Sequence, residues 1–206
     1  MTEKKNKIAF GKKSEKHFLH YVRGKCKKHG VSLKLKPVTY IKVDGIRCSG
    51  YFDDSERVMV VAMKNKLALE ILVHEFCHLT QFIDNCPPWK NIGDSLDKLT
   101  KWLEGKRVNN IHKHINAIRD MELDNEKRTV EMIKLFNLDI SIKDYIKRAN
   151  SYIYFYNWIK KSRRWSNPKN SPYKNENVLR IMPDRFQKSY TKTPLKIEKI
   201  YEKENI

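Results

Sequence analysis

Hydrophobic and polar positions follow three successive rhythms along this chain. In "SEKHFLHYVRGKCKKHG", Phe18, Tyr21, Val22 and Cys26 recur at helical spacing, with Ser14 placed to cap the start and Gly30 to end it. From Val38 the period shortens. "VTYIKV", "IRCSGYF" and "RVMVVAM" are β-branched or aromatic runs separated by "DG" and "DDSE", and they predict a small, mostly antiparallel sheet of about three strands. "KLALEILVHEFCHLTQFIDN" returns to a helical period. It sets Leu67, Ile71, His74, His78 and Phe82 on one stripe and stops before "CPPW", where two prolines forbid continuation.

Past a polar segment around "NIGDSLDKLTKWLEGK", a second long helical pattern begins at "NNIHKHINAIRDMELDNEKRTVEMIKLF". Ile111, Ile115, Ile118, Glu122, Thr129, Ile133 and Phe136 fall at steps of three, four or seven residues. A glutamate thus interrupts an apolar stripe, a costly position for a carboxylate unless something positive faces it. "SIKDYIKRANSYIYFYNWIKKSRRW" predicts a further helix dense in Tyr and Trp. After Trp165, the Pro, Asn and Lys of "NPKNSPYKNENV" predict loop. The expected organisation is a basic N-terminal segment with one helix over 1–36, an α+β domain over 37–165, and a loop-rich basic tail over 166–206. The sheet should pack on the helix of residues 66–85, with additional helices covering it.

Two histidines four apart, with a glutamate directly after the first, make "HEFCH" a match to HExxH. On a helix, positions i and i+4 share a face, so two imidazoles can meet one Zn²⁺ at ~2.1 Å. Glu75 lies ~100° around the helix, off that axis, where it can act as general base toward a water held by the ion. A hydrolytic zinc site wants three protein ligands and one open position. Glu122 is the expected third ligand, with His74 and His78 as the first two. Glu126, one turn later, is placed to orient Glu122 or a histidine. The rivals are His112 and His114; the latter is about 12 Å from Glu122 along a helix, so only one of the two can bind. Cys77 points away from both motif histidines and reads as a small core thiol.

Charge adds a second theme. The 206 residues carry 43 Lys+Arg against 24 Asp+Glu, a formal charge of +19, and residues 1–36 alone hold twelve Lys/Arg against two Glu. Such a surplus favours contact with nucleic acid, anionic surfaces or acidic proteins; non-specific phosphate contact would run through the basic segments, including "KKSRRW", with Trp165 available for stacking. The four cysteines form no CxxC pair, the N-terminus lacks a signal-peptide apolar run, and no stretch reaches the ~20 apolar residues of a membrane span. A cytoplasmic protein with reduced thiols and no membrane partner is expected.

"VHEFCH" followed by "ELDNEKRT" resembles the gluzincin branch of zinc metallopeptidases, in which a glutamate on a later helix completes HExxH. There the glutamate often opens an E-x-x-x-D element; Glu122 matches its first position and Glu126 stands where the aspartate would be. "ELDNEKRTVEMIK", "RANSYIYFYNWIKKSRRW" and "SPY" are more closely similar to uncharacterised metallopeptidases of bacteriophages, over residues 35–190. The resemblance implies a zincin-like domain over 37–165, a zinc cofactor, a protein or peptide substrate, and a host-cytoplasmic setting. It leaves the donor to the developing oxyanion open among Tyr145, Tyr152, Tyr154 and Tyr156. SprT-like proteases, which act on DNA-attached proteins, offer a second resemblance that would need His112 or His114 as third ligand. A non-catalytic zinc- or nucleic-acid-binding protein is the remaining alternative.

Overall fold

The structure, a computed structural model, describes residues 11–43 and 46–206. The "DG" turn signal at 44–45 and the first ten residues of the basic segment lie outside them. The chain divides into two compact units, one reaching to Asp84 and including Glu131–Ile140, the other Asn85–Val130 with Ser141–Ile206.

The first unit opens with helix α1 (Lys13–Lys28). Ser14 lies inside the helix rather than at its cap. The start is held instead by the Glu15 carboxylate, which accepts from the Lys12 N–H at 3.2 Å, the reciprocal half of a capping box. At the other end Gly30 takes φ +68, the left-handed conformation that releases a chain from a helix. Phe18, Val22 and Cys26 face inward, as their spacing predicts, joined by Leu19, while Tyr21 is half-buried.

Strands β1 (Ser32–Lys36), β2 (Ile41–Val43), β3 (Ile46–Cys48), β4 (Gly50–Asp53) and β5 (Val58–Ala62) follow. They form a three-stranded sheet in the order β1-β5-β4 and a separate β2-β3 ribbon. The sheet is mixed, not mostly antiparallel: β4 runs antiparallel to β5, but β1 runs parallel to it, Ser32 opposite Val58 and Lys36 opposite Ala62. The expected pattern missed β1 because "SLKLK" sits among lysines and pairs with a strand more than twenty residues on. "IRCSGYF" also divides, its first half pairing with β2 and its second with β5.

Every residue of β5 is buried, as a central strand requires. Val58, Val60 and Ala62 cluster with Ile41, and Cys48 and Tyr51 pack against them. Met59 and Val61 point to the opposite face. Gly50 is registered against Val61 and so shares that face, where helix α2 (Ala68–Asp84) packs. Phe76 of α2 meets Phe18 and Tyr21 at ring distances of 5.8 and 5.6 Å, so α1, α2 and the sheet share one core. Asn85 at φ +49 ends α2, and Pro87 then occupies the first turn of α3 (Pro87–Ile92), a place where its missing N–H costs nothing.

The second unit is helical. The polar segment forms α3 and α4 (Ser95–Leu103); α5 (Ile111–Leu135) and α6 (Ile142–Ser162) are the two long helices. α5 belongs to this unit as far as Val130 and to the first unit beyond it. Ser141 caps α6, its hydroxyl accepting from the Asp144 N–H. Ile115, Ile118, Ile153, Phe155 and Ile159 form the core. Residues 166–206, expected as loop, carry α7 (Glu176–Ile181) and α8 (Leu195–Lys203), and they place Val178, Tyr190, Ile197 and Tyr201 in that same core. Polar anchors fix them: the buried Asn150 amide donates to the carbonyls of Pro183 and Arg185 at 2.9 and 3.0 Å, and Arg119 donates to that of Tyr190. These partners are 33 to 71 residues apart in the chain, beyond the reach of any local pattern.

Candidate metal centre

The middle of α2 carries the motif on a strongly apolar helix whose Leu72, Val73, Phe76, Cys77 and Leu79 are buried. Cys77 is a fully buried thiol. Helical periodicity brings His74 and His78 together: their Nε2 atoms are 3.2 Å apart, and the ring planes are nearly perpendicular at 87°. A tetrahedral ion with bonds of ~2.0–2.1 Å separates its ligand nitrogens by about 3.3 Å. The pair therefore already has the spacing a shared cation requires.

Gln81, one turn beyond His78 and fully buried, was not foreseen. Its Oε1 lies 2.9 Å from His78 Nδ1. A carbonyl oxygen can only accept, so Nδ1 carries the proton and Nε2 presents its lone pair. Burial pushes His78 down to about 3, with the charge of His74 acting in the same direction and the Gln81 hydrogen bond opposing. The ring is thus held neutral, the form that can ligate. The signal available in the sequence was a polar residue at i+3 from a motif histidine, which by itself reads as an ordinary helix position.

Glu122 joins the pair. Among the described residues, His74, His78 and Glu122 form the one group of such side chains suited to a metal, each offering a ligand atom and all three atoms lying within 4.8 Å of one another. The buried His78, the half-buried His74 and a carboxylate make a mixed nitrogen–oxygen donor set that suits a divalent cation. The rivals lie elsewhere: His114 Nδ1 is 3.0 Å from the Ser95 hydroxyl, and His112 is exposed.

Around these three, the acids and phenols have distinct surroundings. Glu75 is buried, and its charge helps raise the nearby Cys48 thiol, after burial. Glu126 is buried and accepts from the Tyr145 hydroxyl, so Tyr145 is engaged there. Tyr154 packs on Tyr190. Tyr156 donates to the Tyr152 hydroxyl at 3.0 Å. Burial, and then the charge of Glu122, raise the Tyr152 phenol; burial, Tyr152 and Glu122 raise Tyr156. Both therefore stay protonated near Glu122. Trp165, 47% exposed, lies edge-on to Tyr152 and Phe155.

Fold and site together define an α+β protein with a candidate His-His-Glu metal centre. No protein-family profile, curated protein or solved structure matches the chain.

Proposed function

We propose that this protein is a zinc-dependent metallopeptidase that hydrolyses peptide bonds with Glu75 as general base. The observation that carries the reading is the convergence of a ring nitrogen each from His74 and His78 and a Glu122 carboxylate oxygen within 4.8 Å, with a buried glutamate adjacent to the first histidine. A purely structural cation has no use for such a base. Two imidazoles and one carboxylate are the ligand set of hydrolytic zinc, which leaves a fourth position open.

When bound, zinc supplies Lewis acidity, acidifying water toward neutral pH and polarising a carbonyl. Glu75 takes one proton from the attacking water as the C–O bond forms, then delivers it to the amide nitrogen as the C–N bond breaks. Gln81 holds His78 in the ligating tautomer. Tyr152, a protonated phenol near Glu122, is the favoured hydrogen-bond donor to the developing oxyanion among the four tyrosines considered. Glu126, paired with Tyr145, supports the helix that presents Glu122.

A substrate peptide can add as a strand to a sheet edge. β5 is central and paired on both sides, so it has no free edge for this. β4 is an edge of that sheet, and its Gly50 approaches Glu75 so closely that a Cβ there would lie 3.1 Å from Glu75 Cγ. We assign the substrate strand to β4. The SprT-like alternative, with a histidine as third ligand, is disfavoured by the Ser95 partner of His114.

Zinc content and cleavage of a broad peptide library, measured together, test the assignment. Glu75→Gln should retain zinc and lose at least ~10²-fold in rate, and His78→Ala should lose zinc. Zinc-loaded wild type that cleaves nothing in the library would sink the peptidase reading and leave a non-catalytic metal protein.

A further inference from the structure

Helix α1 has one face turned mainly to solvent, with His17 near its margin packing edge-on against Phe136. Phe18, Leu19, Val22 and Cys26 are turned inward, whereas Lys13, Lys16, His17, His20, Arg23, Gly24, Lys27 and Lys28 are exposed. At ~100° per residue these exposed positions occupy a single arc of about 140°, running ~20 Å along the helix. The arc contains no acidic and no apolar side chain. Among the described residues, no carboxylate pairs with Lys13, Lys16, Arg23, Lys27 or Lys28.

Helix stability does not account for the pattern. Lys27 and Lys28 complement the negative C-terminal end of the helix dipole, but Lys13 and Lys16 sit at the positive end, where cations are unfavourable. Gly24 lies within the arc, in the helix interior, where glycine costs about 1 kcal/mol relative to alanine. A Cβ there would have nothing within 4 Å, so packing does not require glycine. What it does provide is bare backbone beside Arg23, Lys27 and Lys28, where a wide polyanion can approach closely.

We propose that the outer face of α1 is a docking surface for duplex nucleic acid, read through its phosphates and not its bases. Five Lys/Arg along ~20 Å match a phosphate backbone in charge and in reach. A bilayer is disfavoured as the occupant, because an interfacial helix must bury an apolar face in the lipid, and the apolar face of α1 is already committed to the protein core. The surface would hold the protein on nucleic acid independently of the chemistry at the metal centre.

The test uses the full chain and a labelled ~20-bp DNA duplex titrated over a range of salt, with a matching RNA duplex in parallel. Five phosphate contacts contribute about −4.5 to the slope of log K against log[salt]. The variant K16Q/R23Q/K27Q should reduce the magnitude of that slope by about 2.7 and weaken binding at low salt at least tenfold. K169Q/K192Q/K196Q, which removes the same charge from exposed positions elsewhere, should leave the α1 contribution to the slope intact. Gly24→Glu, a better helix former than glycine, should keep the fold by circular dichroism and weaken binding by a similar factor. E75Q should bind like wild type, which separates this surface from the proposed hydrolysis. Equal losses in the two triple variants would reduce the effect to net charge and overturn the proposal. So would binding to phosphatidylserine vesicles without binding to either duplex.

Discussion

Gln81 has no place in the HExxH pattern, yet it decides which nitrogen of His78 carries the proton. Replacing it by Met leaves the ring in place without its acceptor. Partners of this kind are typically worth 10–100-fold in metal affinity, so Q81M should lose about that much zinc affinity in chelator competition while Q81E keeps most of it. Equal affinities for Q81M and wild type would remove Gln81 from the site. Gly50 acts through space, not chemistry. An added Cβ would meet Ile71 Cγ2 at 2.6 Å, and Glu75 Cγ and the Val60 carbonyl at 3.1 Å. Gly50→Ala should therefore cost about 1–3 kcal/mol in urea unfolding, as overpacking does, and lower hydrolysis without loss of zinc. In the sequence both residues look unremarkable: a polar helix position and a glycine inside a strand-like run.

At the scale of elements, α1 and the last two helices carry testable consequences. Cys26 is buried against the core, and burial pushes its thiol up to about 11 from the ordinary 9.0. The unfolded chain therefore loses this proton first. Between about pH 9 and 11 the native state binds more protons than the unfolded one, so the contribution is full below 9 and is lost as pH rises toward 11. The fall in stability over that window should be shallower in Cys26→Ala than in wild type, even though the substitution itself costs some packing. A parallel decline in both would deny the thiol any part in it. The segment 166–206 reads as loop from its Pro and Asn, but α7 and α8 complete the core of the helical unit through Val178, Ile197 and Tyr201. Asn150→Ala removes the donors to Pro183 and Arg185 and the acceptor for the Tyr190 hydroxyl. Several buried polar groups then lose partners at roughly 1–3 kcal/mol each. Global destabilisation in denaturant is expected, together with protease cleavage beginning after residue 182; a variant as stable and as resistant as wild type would contradict this account.

For the molecule as a whole, metal and folding should be coupled. The three ligands are all in the native arrangement, and the two histidines must be neutral to bind. A cation at about 100 times its Kd adds about 2.7 kcal/mol to native stability. Removal with chelator should lower Tm, restoration with zinc should recover it, and H74A/H78A should respond to neither. A chelator-insensitive wild type would mean that no cation is held there. None of the described helices is long and apolar enough to cross a membrane.

The sequence by itself determined the parts whose physics is local. Helical spacing put His74 and His78 on one face and Glu75 off it, alternation marked the strands, and the prolines after Cys86 marked where α2 could not continue. The apolar stripe that Glu122 interrupts singled that carboxylate out from its neighbours. Other matters depended on residues far apart in the chain, and only the tertiary structure decided them. His114 and Glu122 lie two turns apart on one helix, and spacing alone does not say which of them meets the histidine pair; the fold brings Glu122 there and ties His114 to Ser95. Parallel pairing of β1 with β5 makes the sheet mixed, because strand patterns specify faces but not partners. The anchoring of residues 166–206 rests on Asn150, Asn157 and Arg119, whose side chains reach carbonyls brought near only when the helices pack.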